Sequence, residues 1–168
     1  MNTLIAYASR YGCTEKCAAI LSEKLTGKVD LCNLKRVKDV DLSQYDKVII
    51  GGPVYIGKIQ KEVKEFCLKN LSVLKEKKIG LFICGMESGD RAEAQLNACF
   101  PQELLFHAAA REFFGGEFKF KKMNPMERFM IRMVSRMDES RSVLDTNKDV
   151  SNISEENINR FARLMNGV

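Results

Sequence analysis

Short apolar runs separated by stretches of helical spacing dominate the pattern of this chain. Thr3 to Ala8 is apolar without alternation, like a strand buried on both faces. Beyond it, Cys13, Cys17, Ile20, Leu21 and Leu25 fall on one side of a helix, and Gly27 is a natural stop. Val29 to Leu34 alternates enough to be a strand nearer an edge, and Lys47 to Gly51 is another buried run. Val63, Phe66, Cys67, Leu71 and Leu74 repeat at helical spacing before a fourth strand, Ile79 to Cys84. Asp90 and Glu93 have the spacing of a helix cap and its reciprocal partner, and Pro101 interrupts the pattern beyond them. Phe113 to Phe118 reads as a fifth strand. Ser154 is placed to cap a last helix whose Ile158, Phe161, Ala162 and Met165 face the core, with Ile153 and Ile158 spaced for a hydrophobic staple.

Strands alternating with helices predict an α/β fold, an open parallel sheet with helices on both faces. At 168 residues and 45% hydrophobic content, one domain over 1–168 is expected. No apolar run reaches the roughly 18 residues of a spanning helix, and the first strand starts within three residues of Met1, so the expectation is a cytosolic protein without leader or anchor. The six cysteines include no C-x-x-C pair and sit within strand and helix patterns, so they read as small core residues, not as disulfides or metal ligands. The net charge of +5 is modest; it favours acidic small molecules or phospholipid surfaces, and no nucleic-acid partner is expected.

In such a sheet a ligand lies beyond the carboxyl ends of the strands, where strand order reverses. Three loops meet there. Ser9-Arg10-Tyr11-Gly12-Cys13-Thr14 joins the first strand to the first helix: unpaired N–H groups of the new helix, the hydroxyls of Ser9 and Thr14, and a permissive Gly12 make a cradle for one phosphate monoester. The loop lacks the spacing of a nucleoside triphosphate or dinucleotide site. Gly52, Pro53, Val54, Tyr55, Ile56 and Gly57 form the second loop, where Tyr55 and Ile56 offer flat apolar surface. Gly85, Met86, Glu87 and Ser88 form the third, whose backbone suits the polar edge of a ring. A phosphate at one end and a planar heterocycle at the other describe FMN, which would carry the chemistry without catalytic side chains.

Ser9-x-Tyr11-Gly12-x-Thr14 resembles the phosphate loop of the flavodoxin family, which implies a five-stranded sheet of order 2-1-3-4-5. Within that family the chain is most similar to the flavodoxin-type bacterial protoporphyrinogen oxidases, through Glu127 to Met137, Asp145 to Asp149 and Asn159 to Arg163. The resemblance implies an FMN enzyme that oxidises a reduced tetrapyrrole and passes the electrons to a quinone, at or near the inner face of the membrane. Arg10 in the loop and the basic net charge depart from the uncharged loops and acidic character of electron-carrier flavodoxins.

A basic, methionine-rich helix is expected at about 121–140. Met126, Phe129, Met130, Met133, Val134 and Met137 form one stripe, with Arg128, Arg132 and Arg136 recurring every four residues away from it. Five of the eight methionines lie in residues 123–137. The pattern fits a helix packed on its own sheet with a solvated basic face. It equally fits a helix that helps to form a site for a porphyrinogen or quinone, with the three arginines as carboxylate or phosphate contacts. Cys13 is not expected to act as a nucleophile beside a bound dianion, and the lone His107 reads as a packing residue. A soluble electron carrier that docks redox proteins and an NAD(P)H:quinone reductase remain alternatives on the same fold.

Overall fold

In the computed structural model, which describes residues 1–118, 120–137 and 150–168, β1 (Asn2–Tyr7) lies one strand in from the edge of a parallel sheet. It pairs with β2 (Lys28–Asn33) on one side and with β3 (Lys47–Tyr55) on the other. β3 turns back through Ile56 and Gly57 into the short antiparallel β4 (Lys58–Ile59). β5 (Lys78–Cys84) lies on β3, and β6 (Ala110–Phe113) on β5. The order β2-β1-β3-β5-β6 is the expected five-strand order with the small β4 attached to one side.

Helices cover both faces because the strands carry apolar side chains in both directions. Leu4 and Ala6 share a core with Val63, Phe66 and Cys67 of α2 (Lys61–Lys69), Leu74 of α3 (Leu71–Leu74), Leu96 of α4 (Gly89–Cys99) and Leu104 of α5 (Gln102–His107). Their neighbours Ile5 and Tyr7 point the other way. There they meet Cys17 and Leu21 of α1 (Cys13–Lys24) and Ile158, Phe161 and Met165 of α7 (Glu155–Asn166). As expected, Ser154 caps α7, its Oγ accepting from the Asn157 N–H at 3.2 Å.

Several local expectations are corrected. The stretch Gly52 to Tyr55 is strand, not loop, because Gly51, Gly52 and Pro53 stay in register with Phe82, Ile83 and Cys84. The helical run from Val63 to Leu74 breaks at Asn70, whose side chain donates to the Phe66 carbonyl at 2.9 Å. Asp90 does not cap α4, which starts at Gly89 after Ser88 without a side-chain cap. The fifth strand lies earlier than expected and ends at Phe113, because Gly115 takes a left-handed φ of 76° that a continuing strand cannot accommodate. A Cβ there would sit 1.8 Å from the Asn152 carbonyl oxygen. The chain then forms a two-stranded ribbon of β7 (Glu117–Phe118) and β8 (Val150–Ser151), with α6 (Pro125–Met137) between them in sequence. None of the described helices is long and apolar enough to cross a membrane.

An aromatic trio fixes this turn. Phe82 stacks on Phe114 with centroids 4.5 Å apart, and Phe161 meets the Phe114 ring edge-on at 5.3 Å. The Phe82 ring lies directly over Gly51, where an added Cβ would fall 2.2 Å from ring carbons. Gly51→Ala is therefore expected to destabilise the protein by about 1–3 kcal/mol through overpacking. Urea unfolding checks this, and an unchanged midpoint would contradict the packing of Phe82 on bare backbone.

Candidate cofactor site

The three loops foreseen as a site do converge at the carboxyl ends of β1, β3 and β5, beside the reversal of strand order between β1 and β3. After β1 the chain passes through Ser9 to Gly12, the N-cap of α1, with φ 96°. The Gly12 N–H donates to Ser9 Oγ at 3.1 Å, which curls the loop. The first N–H groups of α1 have no intrahelical acceptor and carry the positive end of its dipole. Thr14, 1% exposed, stands in this first turn, and its Oγ1 is buried without a hydrogen-bond partner. A buried unpaired hydroxyl costs on the order of 1–3 kcal/mol, and an anionic oxygen entering the cradle would satisfy it. The cradle therefore fits the phosphate of FMN.

A cleft of about 460 Å³, counting its open mouth, runs from this cradle along Pro53, Val54 and Tyr55. Ser9, Arg10, Tyr11, Cys13 and Thr14 line one end, and Gly85 and Met86 the far wall. Gly12 is not among the lining residues, and its N–H is engaged by Ser9 Oγ. Ile56 and Gly57, with φ of 50° and 73°, form the tight turn into β4 and do not line the cleft. Glu87 and Ser88 also lie off its wall, Ser88 as the residue before α4.

Residues not singled out from the sequence complete the cleft: Cys84, Gly116, Glu117 and Met123. Gly116 packs so closely on Gly85 that a Cβ would sit 2.8 Å from the Gly85 oxygen, and the Gly85 N–H donates to the Gly115 carbonyl at 3.0 Å. Glu117 brings a carboxylate near the cradle, but Lys16 Nζ and Ser151 Oγ each lie 3.1 Å from its Oε1 and temper its charge.

Glu127 is the largest omission. Its carboxylate accepts from the Arg10 guanidinium and from the Tyr11 hydroxyl, and its carbonyl accepts from the Tyr55 hydroxyl at 3.5 Å. Its own N–H donates to Asn124 Oδ1 at 2.8 Å. The sequence did carry a signal: Asn124-Pro125-x-Glu127 has a capping residue, a proline at the first helical position and an acid at the third. Glu127 thus docks α6 against Arg10, Tyr11 and Tyr55 of the cleft wall, while Met123 and Ile131 bury themselves against Tyr11 and Tyr55. The Arg10 guanidinium lies 4.8 Å from the Tyr55 ring centroid and 5.5 Å from that of Tyr11. Burial, then the Glu127 charge, pushes the Tyr55 phenol up to about 12. Burial and the bond to Glu127 raise Tyr11 as well, so both phenols stay protonated donors at neutral pH.

The methionine stripe does not pack on the sheet. Met126, Phe129, Met130 and Met133 are 72, 61, 44 and 46% exposed, because Glu127 and Ile131 take the inward side of α6. Arg128 is half-buried and Arg132 exposed, and each has an interaction of its own. The side chains of Val134, Arg136 and Met137 lie outside the described residues, as does the stretch Asp145 to Asp149. His107 is at the surface, not packed, with Nε2 3.1 Å from the Lys77 carbonyl at the opposite end of the sheet. All six cysteines are buried and free, as expected, but the sulfurs of Cys13, Cys17 and Cys84 converge beneath the cradle. Hydrogen bonds from Cys17 and Cys84 hold the Cys13 thiol well below the usual thiol range.

Residues 4–145 match the model of the family described as Flavodoxin domain. Over 172 aligned positions the chain is 24% identical to the protoporphyrinogen IX dehydrogenase [quinone] of Escherichia coli strain K12, covering 97% of this chain and 93% of that relative. Among solved structures it superimposes on a short-chain flavodoxin associated with a non-canonical PDU bacterial microcompartment, with a TM-score of 0.55 and 15% identity over 98% of this chain and 95% of that one. It also matches part of the rubredoxin oxygen:oxidoreductase of Desulfovibrio gigas, at 25% identity and a TM-score of 0.44; the match covers 58% of this chain and only 27% of that longer one.

Two outcomes are expected. Thr14→Val removes the unpaired hydroxyl, so the cofactor-free protein should keep or gain stability, while FMN affinity falls by about 1.5–3 kcal/mol through loss of a charge-assisted hydrogen bond. Thermal melts and flavin titration of one variant read both, and an unchanged FMN affinity would contradict the cradle. Tyr7, buried and donating to Glu15 at 3.1 Å, has its phenol pushed up from 10.0 to about 12, first by burial and then by the Glu15 charge. Its stabilisation is therefore complete below pH 10 and lost as pH rises from 10 to about 12. In Tyr7→Phe the alkaline fall in stability should shrink by roughly 2 kcal/mol, read by denaturant unfolding across that window.

Proposed function

Because the chain belongs to the Flavodoxin domain family, we propose that it is an FMN-dependent oxidoreductase that oxidises a reduced tetrapyrrole, protoporphyrinogen IX, with a quinone as electron acceptor. The observation that carries the substrate assignment is the outward turn of α6. A helix latched beside the cleft presents Met126, Phe129, Met130 and Met133 to solvent at the edge of the site, with Arg128 and Arg132 in the same helix. Flexible thioethers accommodate a large apolar macrocycle or a quinone, and guanidinium groups suit the propionates of the first. The name of the Escherichia coli relative, aligned over nearly the whole chain, supports the same reading.

FMN, when bound, supplies the two-electron redox chemistry. The chain's own residues hold and orient. Ser9, Thr14 and the first turn of α1 take the phosphate. Tyr55 gives the ring an apolar face, and the Gly85 to Met86 backbone lies along the wall the ring edge would meet. The Tyr11 hydroxyl, donating to the Glu127 carboxylate, holds α6 beside the cleft.

The test is an anaerobic assay of FMN-loaded protein with protoporphyrinogen IX and a menaquinone analogue, following porphyrin fluorescence. Fluorescence growth dependent on both protein and quinone is expected. Replacing Phe129 and Met133 together by Ser should lower kcat/KM on the order of tenfold by removing apolar contacts, while flavin content is kept. Flavin that binds and cycles with a chemical reductant, with no porphyrin formed, would overturn the substrate assignment and favour a carrier that docks protein partners.

A further inference from the structure

We propose that Cys13, Cys17 and Cys84 form a buried three-sulfur site for a soft monovalent d10 cation of the copper(I) class. Their Sγ atoms all lie within 4.8 Å of one another, and the residues are 8, 0 and 2% exposed. Cys13 and Cys17 stand four residues apart on one face of α1, and Cys84 is the last residue of β5. The three sulfurs therefore come from two rigid elements rather than from a loop. Cys32, Cys67 and Cys99 are buried too, yet none joins such a ligand group among the described residues.

The donor set selects the ion. A metal–thiolate bond of about 2.3 Å puts trigonal sulfurs roughly 4 Å apart, which small rotations of these thiols reach. No histidine or carboxylate belongs to the group, and the nearby Glu117 carboxylate is held by Lys16 and Ser151. Thiolates bind zinc as well as copper(I), but zinc favours four ligands in a structural site, so it is the count of three sulfurs that favours copper(I). Binding is coordination without electron transfer: each thiol releases its proton to water as its sulfur–metal bond forms, and the oxidation state of copper is unchanged. With no phosphate in the cradle, the first turn of α1 stabilises the thiolate charge at Cys13.

Full-length protein, reduced and kept anaerobic, is titrated with copper(I) against a chromogenic copper(I) chelator, with zinc run in parallel. The expected result is one equivalent of copper(I) retained per chain, zinc retained more weakly, and an X-ray absorption spectrum in which only three sulfurs are bonded to copper. Cys17→Ala should lose copper affinity by about tenfold or more, while Cys67→Ala keeps it. Equal retention by Cys17→Ala, nitrogen or oxygen bonded to copper, or loss of all copper from the unaltered chain to the chelator would each overturn the site. The absorption spectrum of the unaltered chain stands whether or not Cys17→Ala folds.

Discussion

The stacking of Phe82 on Phe114, closed edge-on by Phe161, ties three distant parts of the chain to one point under the sheet. It joins the middle of β5, the turn after β6 and the inner face of α7. Because Phe114 is fixed, Gly115 and Gly116 can be pressed against Gly85, and that contact shapes the far wall of the cleft. Aromatic pairs of this geometry contribute about 0.5–1.5 kcal/mol each beyond their area burial. Here their larger effect is positional, since Gly85, Gly115 and Gly116 have no side chains with which to hold that wall in place.

The opposite end of the cleft follows a different rule. At the cradle the protein leaves polar groups without protein partners: the opening N–H groups of α1 and the hydroxyl of Thr14. A region optimised for stability alone would satisfy them internally. Keeping them open gives up part of a marginal stability in return for donors already aimed at an anion, so little reorganisation remains when one arrives.

The sheet was legible because strands buried on both faces must be apolar throughout, and such runs as Thr3 to Ala8 and Ile79 to Cys84 are hard to mistake. The turn from β1 into α1 was legible for a similar reason, since an apolar run, a glycine and then helical spacing mark a strand, a positive-φ cap and a helix start. The turn at Gly115 was missed because its aromatic neighbours Phe113, Phe114 and Phe118 imitate a strand, while the tertiary contact with Asn152 that forbids one is invisible in the local pattern. The orientation of α6 was missed because periodicity finds an apolar stripe without saying what it meets. Ile131 and Glu127 claim the inward side, leaving Met126, Phe129, Met130 and Met133 to solvent. Glu127 itself was within reach, since its capping signature is local.

The Arg10 guanidinium lies 4.8 Å from the Tyr55 ring centroid, so a planar ligand stacking on that side of the ring would have to displace it. A ring settling there exchanges one π-partner for another; it does not cover a bare surface. The heat released by stacking would be largely offset by the lost cation contact, leaving calorimetry to register mainly the capture of the phosphate. A ligand fragment with the ring but no phosphate should then show little enthalpy of its own, and the displaced arginine, carrying its bond to Glu127, would transmit the arrival of the ring to α6.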